Sequence, residues 1–473
     1  MAIKVDDADP RVSAMQPDWE LIETLLGGTR AMRAAGEKYL PRWSLEDRAD
    51  YDARLKLATL FPATDETIRQ LTGRVFGEEV GDDEVLPSWI KDEVWPDMDL
   101  QDANGHVFAR AWFRAGLAFG LAHVLVEAPL APEVRTQADQ RASGVRPYCI
   151  LLTPGRVLGW KIGADNKLAQ LRVTWSRTQP GDFGDEIVPQ IRVYDAMPGA
   201  PVSVRTFEKV RTNDGKHQWA LVEQVTMGVE AIPLATFYTG KTEPMCAIPP
   251  LRELAYLNAK HWAKQCSNDS LIDVASVPVL AVIGLSDERT SVGIGARNAV
   301  ALPVGADMKW VEHSGKAIDA GRQSLQDLEA QMKAIGAKLI EPGAATKTAT
   351  QAGEEAAQSN SVLAGWVRDF ADAMAALLDV IASYRGDAKG GKVTIHADLD
   401  PDTTPNESMQ VLTKMVTARA LSPRGLFEEG KRRGLISSER EWDGEQELIA
   451  LDTPEPVTEP RAQGQMRVAG VVT

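Results

Sequence analysis

The sequence predicts an α+β protein, with helices towards both ends and a β region between them. Three observations predict it. Residues 17–77, and most of the chain after 250, space apolar side chains as helices do, with caps and breakers at the turns. From about 145 to 240 the apolar runs shorten, become β-branched or aromatic, and are separated by Gly, Pro, Asn and Asp. A chain of 473 residues, 44% hydrophobic and 25% charged, is also long enough for two to four units, each with its own core.

Taken in order, "DWELIETLLGGTRAMRAAGEKYL" reads as helix broken at Gly27-Gly28. "SLEDRADYDARLKLATLF" reads as a helix with Ser44 as N-cap and acids in its first turn. "ATDETIRQLTGRVFG" starts at Thr64 or Asp65 and ends at Gly77. Residues 78–102 carry ten acids and one lysine, which predicts a solvated linker around a short "PSWIKDEVW" helix. Residues 104–119 form the next helix, and "HVLVEAP" after Gly120 a strand. Seven short runs between "YCILLTP" and "PLATFYTG" predict an antiparallel region, with "NDG" at 213–215 as a hairpin turn.

A helix begins near Pro250, proline fitting a first-turn position. Three apolar strands follow: "VPVLAVIGL", "AVALPV" and "DMKWVEH". Then come a helix to about residue 340, a second from about 348 to 385, and a strand, "KVTIHADL". Residues 406–450 are helical with breaks at Pro423, Gly430 and Gly434, and the tail from 451 is Pro-rich.

The formal net charge is −15, from 52 basic and 67 acidic residues. A protein that grips phosphates is usually basic, so this chain is expected to touch DNA at isolated points or to enclose it without gripping. Cys149, Cys246 and Cys266 are odd in number and far apart, which argues against a disulfide framework or a Cys-based zinc site and fits a reducing cytoplasm. The N-terminal "MAIKVDDADPRV" lacks the apolar core of a signal peptide. The most apolar long run, "AWFRAGLAFGLAHVLVEAP", contains Arg114 and His123, so no membrane span is expected.

No motif predicts catalysis, and neither a metal nor a cofactor is expected. "VGIGARN" offers Gly293 and Gly295 without a third glycine or a following helix. "TGKT" at 239–242 lacks the first glycine of a phosphate loop, Ala235 standing there, and prolines 249 and 250 follow where a helix should start. The six histidines show no metal-binding spacing. His261 lies on a polar stripe with Asn258 and Gln265, as a hydrogen-bonded interface residue would.

Helix geometry is more informative. Ile318, Leu325, Leu328, Met332, Ile335 and Leu339 recur at steps of 7, 3, 4, 3 and 4, a narrow heptad-like seam. Arg322, Asp327, Glu329, Lys333 and Lys338 occupy the other face. Such a stripe suits a helix packed on one neighbour or on copies of itself. The next helix, with Trp366, Phe370, Met374, Leu377 and Ile381 among its apolar residues, has a broad stripe and reads as core.

This order of elements resembles that of tailed-bacteriophage portal proteins, the head-to-tail connectors at the capsid vertex. The resemblance covers roughly residues 17 to 450. It rests on the architecture and on four stretches: "KYLPRWSLEDRADYDARLKLATLFPATDETIRQLTGRVF", "PLRELAYLNAKHWAKQCSNDSLI", "EHSGKAIDAGRQSLQDLEAQMKAIGAKLI" and "TATQAGEEAAQSNSVLAGWVRDFADAM". It implies a portal-type fold and a non-enzymatic ring of about twelve subunits. By that likeness residues 1–249 are a wing, 250–275 a first stem helix, 276–315 a small β clip and 316–340 a second stem helix. Residues 341–347 are then a tunnel loop, 348–400 a long helix with a returning wing strand, and 401–473 a short crown and tail.

The implied partners are further copies of the chain, double-stranded DNA in the tunnel, the terminase large subunit, a head–tail adaptor, and the major capsid protein with scaffold as a further candidate. No membrane partner is implied. The implied location is the virion, at its unique vertex, after assembly in host cytoplasm. Asp287, Glu288, Arg289 and Arg297, in a polar Gly-rich loop, are the implied docking contacts. Thr346, Lys347 and Thr348 are the implied tunnel-loop residues, with Lys347 the loop's single cation. The seam at 318–339 becomes stem or subunit packing. Two other readings compete: a soluble nucleotide-dependent enzyme using "GIGARN" or "TGKT", and another ring-shaped connector component, a class typically shorter than this chain.

Overall fold

A computed structural model describes residues 4–81, 86–128, 146–211, 215–275, 279–283, 307–311, 316–340, 349–395, 405–432, 435–437 and 440–452. The chain divides into two compact units, Met1–Leu399 and Asp400–Thr473.

The first unit opens with helix α1 (Pro10–Leu26). Its start lies upstream of the expected residue 17, because the Asp9 carboxylate caps it by accepting the Arg11 N–H, and Pro10 needs no donor there. Gly27 ends it, and α2 (Gly28–Ala35) follows from Gly28, whose φ is +69°. Helix α3 (Arg48–Leu57) is capped by Asp47, which accepts from the Asp50 N–H, so Ser44 is not the cap. The chain before Asp47 is held by a buried ion pair instead: Arg54 donates to both oxygens of Glu46, at 2.6 and 2.7 Å, and lies 4.2 Å from the Trp43 ring. Those hydrogen bonds hold the Glu46 carboxyl below the usual carboxylate range.

Helix α4 (Ala63–Val75) buries Ile68, Leu71 and Val75. The acidic stretch after it is not a solvated linker. Leu86, Ile90, Val94 and Met98 are buried, with Ile90–Val94 forming one wide helical turn. The acids fall between these apolar positions, and Glu93 pairs with Arg385. Helix α5 (Gly105–Phe119) runs from the Asn104 cap to Gly120, which is left-handed. At Gly120 an added Cβ would also meet the backbone of Ile248.

Strand β1 (Leu121–Glu127) follows directly and is central in a three-stranded antiparallel sheet, between β2 (Tyr148–Leu152) and β8 (Leu234–Tyr238). That position buries both its faces, which explains a continuous apolar run rather than an alternating one. Strands β3 (Val157–Ile162), β4 (Leu168–Gln179), β5 (Glu186–Asp195), β6 (Ser203–Arg211) and β7 (His217–Thr226) form a second antiparallel sheet in sequence order. The turn expected at "NDG" joins β6 to β7; residues 212–214 lie outside the described set, and Gly215 has φ +78°. Glu127 ties the sheets together. It accepts from Arg192 at 2.8 and 3.0 Å and from the Tyr194 hydroxyl at 2.6 Å.

The core centres on five aromatic rings. Phe370 lies 4.9 Å from Phe237, 5.2 Å from Phe113, 5.3 Å from Trp112 and 5.9 Å from Phe76, between ring centroids. Gly116 makes room for this cluster, since a Cβ there would meet the Phe237 ring. Short strands β9 (Lys241–Glu243) and β10 (Cys246–Ala247) then lead into α6 (Arg252–Ala275). The pair β11 (Val279–Ile283) and β12 (Asp307–Val311) comes next; "AVALPV" lies outside the described residues. Helices α7 (Lys316–Ile340) and α8 (Ala349–Ser383) complete the unit, Phe370 being on α8. The strand expected at "KVTIHADL" is, over its described residues, a single bridge between Gly81 and Thr394.

The second unit contains α9 (Pro405–Thr417), α10 (Pro423–Arg432) and α11 (Trp442–Asp452). Phe427 is buried and meets Trp442 at 5.5 Å. Pro423 starts a helix, as a break there implies, but Gly430 sits inside α10. Its missing Cβ leaves space for Ile436.

Candidate functional site: the paired helices and their far end

Helices α6 and α7 run antiparallel, as their side-chain pairs show. His261 Nε2 meets Glu329 Oε1 at 3.3 Å, Lys264 donates to Ser324 Oγ at 2.6 Å, and Asn268 lies against Gly321. Numbers rise on one helix as they fall on the other. The far end of the pair carries the hairpin β11–β12, with Leu280 opposite Trp310. The near end is built into the first unit. Asn258 is fully buried, accepting from both the Thr64 N–H and hydroxyl and donating to the Phe61 carbonyl. Arg54 of α3 reaches the Cys266 Sγ at 3.9 Å.

The seam on α7 is used inside the chain. Leu328 and Met332 are buried, Ile335 is partly buried against the core, and Ile318 and Leu325 are only half-covered. The Leu339 side chain lies outside the described residues, as do Asp287, Glu288, Arg289 and Arg297, and Thr346, Lys347 and Thr348. Of the two kinds of partner expected for this seam, a neighbouring helix or copies of the chain, the buried part is taken up by α6 and its neighbours α4 and α8 in the same chain.

Sequence reasoning placed His261 at an interface, and the structure puts it there, 2% exposed and 5.3 Å from the Phe61 ring. It missed the partners Thr64, Ser324 and Glu329, which are far away along the chain. The signal available was the spacing of Asn258, His261, Gln265 and Asn268, a polar stripe at helical period on an otherwise anchored helix.

The nucleotide motif loses its context. Lys241 and Thr242 lie on β9, not before a helix, and the Gly240 N–H donates to the Gly120 carbonyl. A phosphate-cradling loop needs free amides at a helix N-terminus. "GIGARN" lies outside the described residues. Among the described residues no group of three His, Cys, Asp or Glu side chains is placed to hold a metal, and no helix is long and apolar enough to cross a membrane. The three cysteines are unpaired and buried, and burial pushes their thiols up, away from reactivity.

Residues 250–385 match the model of a domain of unknown function (DUF4055). The match spans α6, the hairpin, α7 and α8. No curated protein matches the chain. Among solved structures it is similar to a chain in the neck of a native GTA particle, at 15% identity over 80% of this chain and 89% of that one, TM-score 0.40. A chain from the virion of a native gene transfer agent particle gives 15% identity over 84% and 97%, TM-score 0.43. One from the neck of an empty GTA particle gives 14% identity over 86% and 95%, TM-score 0.41.

Proposed function

We propose that this chain is a portal subunit, forming a ring of about twelve copies at one capsid vertex. The ring is a conduit for genome packaging and ejection. It is also the platform on which the terminase large subunit, and afterwards the head–tail adaptor, docks. It has no catalytic residues of its own and uses no cofactor. One observation carries this reading: a helix, a two-stranded hairpin, an antiparallel returning helix and a long helix follow one another, and the first and third pack side by side on an α+β base. That is the order of stem, clip, stem and long wing helix. Helices α6 and α7 do mechanical work, carrying the hairpin at the end of the pair away from the core. The gene-transfer-agent neighbours are too loosely similar to add weight.

The charge supports it. A tunnel wall that neutralised many phosphates would hold DNA in place, because each neutralised phosphate adds affinity. A chain with fifteen excess negative charges suits a wall that touches passing DNA at a few cations rather than gripping it. Lys347 is assigned that contact, and Asp287, Glu288, Arg289 and Arg297 the docking contacts. A lysine suits a transient contact, being a hydrated point charge without arginine's bidentate grip.

The test separates assembly from transport. Lys347→Glu should leave rings intact and lower DNA packaging or retention, and reversal of Asp287 and Glu288 should leave rings intact and abolish packaging. Full packaging by intact rings of both variants would contradict the assigned roles.

A further inference from the structure

The α6–α7 pair changes character along its length. On α6, Leu251, Leu254, Ala255, Asn258, His261, Trp262 and Cys266 are buried, but no side chain described from Ser267 to Asp273 is. On α7, Leu328 and Met332 are buried, but no side chain described from Ile318 to Asp327 is. Because the helices are antiparallel, these two stretches face each other at the hairpin end. Polar or small pairs cross there, Lys264 just before the stretch with Ser324, and Asn268 against Gly321, while the apolar Leu271, Ile318 and Leu325 are only half-covered. Gln265 Oε1 and Asn268 Oδ1 are both enclosed there without a protein hydrogen-bond partner.

Such a contact gains little from the hydrophobic effect, which scales with the apolar area removed from water. Opening it hydrates amide oxygens that closure leaves unpaired, so separation is nearly compensated. The base cannot open in this way, because separating it would expose Trp262, Leu328 and Met332 and strand the buried Asn258 and His261. Glycine at 321 weakens the helix there further. Local opening with a low free-energy cost is expected where buried apolar contacts are few.

We propose that the level of Cys266 and Leu325 is a hinge, about which the far half of the α6–α7 pair opens and closes while the base stays fixed. The Asn268–Gly321 contact is its closing point, and the β11–β12 hairpin is what it moves. The hinge is read from contacts within one chain and does not rest on the portal reading.

Hydrogen exchange on the full-length protein tests it. Amides of 267–275 and 316–325 should exchange together, at least tenfold faster than those of 254–262 and 328–336. Fast exchange confined to the last turn, at 273–275 and 316–318, would be fraying and would overturn the hinge, as would equal rates along both helices. The closed state can be locked. A Cβ on Gly321 would lie 4.0 Å from the Asn268 Cβ, within the span of a disulfide. Oxidised Asn268→Cys/Gly321→Cys should slow exchange across the whole tip, with reduction restoring it; a formed crosslink without effect would overturn the proposal. Spin labels give an independent measurement that keeps Asn268 and Gly321 intact. A pair at Asp269 and Gln323 should show a broader distance distribution than a pair at Lys260 and Lys333, and equal widths would count against a hinge.

Discussion

Around Phe370 four aromatic rings close in with centroids 4.9–5.9 Å away, whereas α7 has no buried side chain described before Leu328. Both regions are helical, and both belong to the first unit. In the core, stability comes from dispersion and apolar burial among rings from α5, β8, α8 and Phe76 at the end of α4. In the far half of the helix pair the contacts are polar pairs and a glycine. Regular secondary structure is therefore no guide to where the stability lies.

The comparison can be broken by large-to-small changes. Phe370→Ala removes the ring shared by the other four and should cost about 4 kcal/mol, read as a lower urea midpoint. Leu328→Ala, at the base of the seam, should cost about 3 kcal/mol, while Leu325→Ala, only a step further out, should cost under about 1 kcal/mol. Equal losses at the two leucines would erase the boundary between base and tip.

Acid should act on the core through His123. His123 is fully buried on β1 with its Nδ1 2.8 Å from Thr236 Oγ1, and burial pushes its pKa down to about 3. The unfolded chain takes up this proton near pH 6.5 and the folded one does not, so stability falls as pH drops from 6.5 towards 3. The expected loss is about 2 kcal/mol between pH 6.5 and 5. His123→Gln should remove that part of the pH dependence, measured as the difference in unfolding midpoint at the two pH values. Asn104→Ala, which deletes the α5 cap, should cost about 1 kcal/mol, read as a lower urea midpoint.

How much of this was legible depended on range. Gly27-Gly28, residues 104–119 with Gly120, and the short β-branched or aromatic runs of the β region announce their elements locally, and the structure has them at those places. Asp47 displaced Ser44 as a cap because Glu46 is drawn into the ion pair with Arg54, a contact between two segments that composition alone does not connect. The acidic stretch misled because its acids surround four apolar residues spaced one turn apart, at 86, 90, 94 and 98, and the spacing outweighs the charge. Gly430 reads as a breaker, yet it is the small residue that lets Ile436 approach. The polar partners of Asn258, His261 and Lys264 lie 60 to 197 positions away in sequence, too far for any periodicity to reveal.

If this chain works as a closed ring, its mass shows it. Mass measurement of the purified protein under native conditions should give a dominant species near twelve times the 51.5 kDa chain mass. A single species at 51.5 kDa, unchanged as concentration rises, would contradict it.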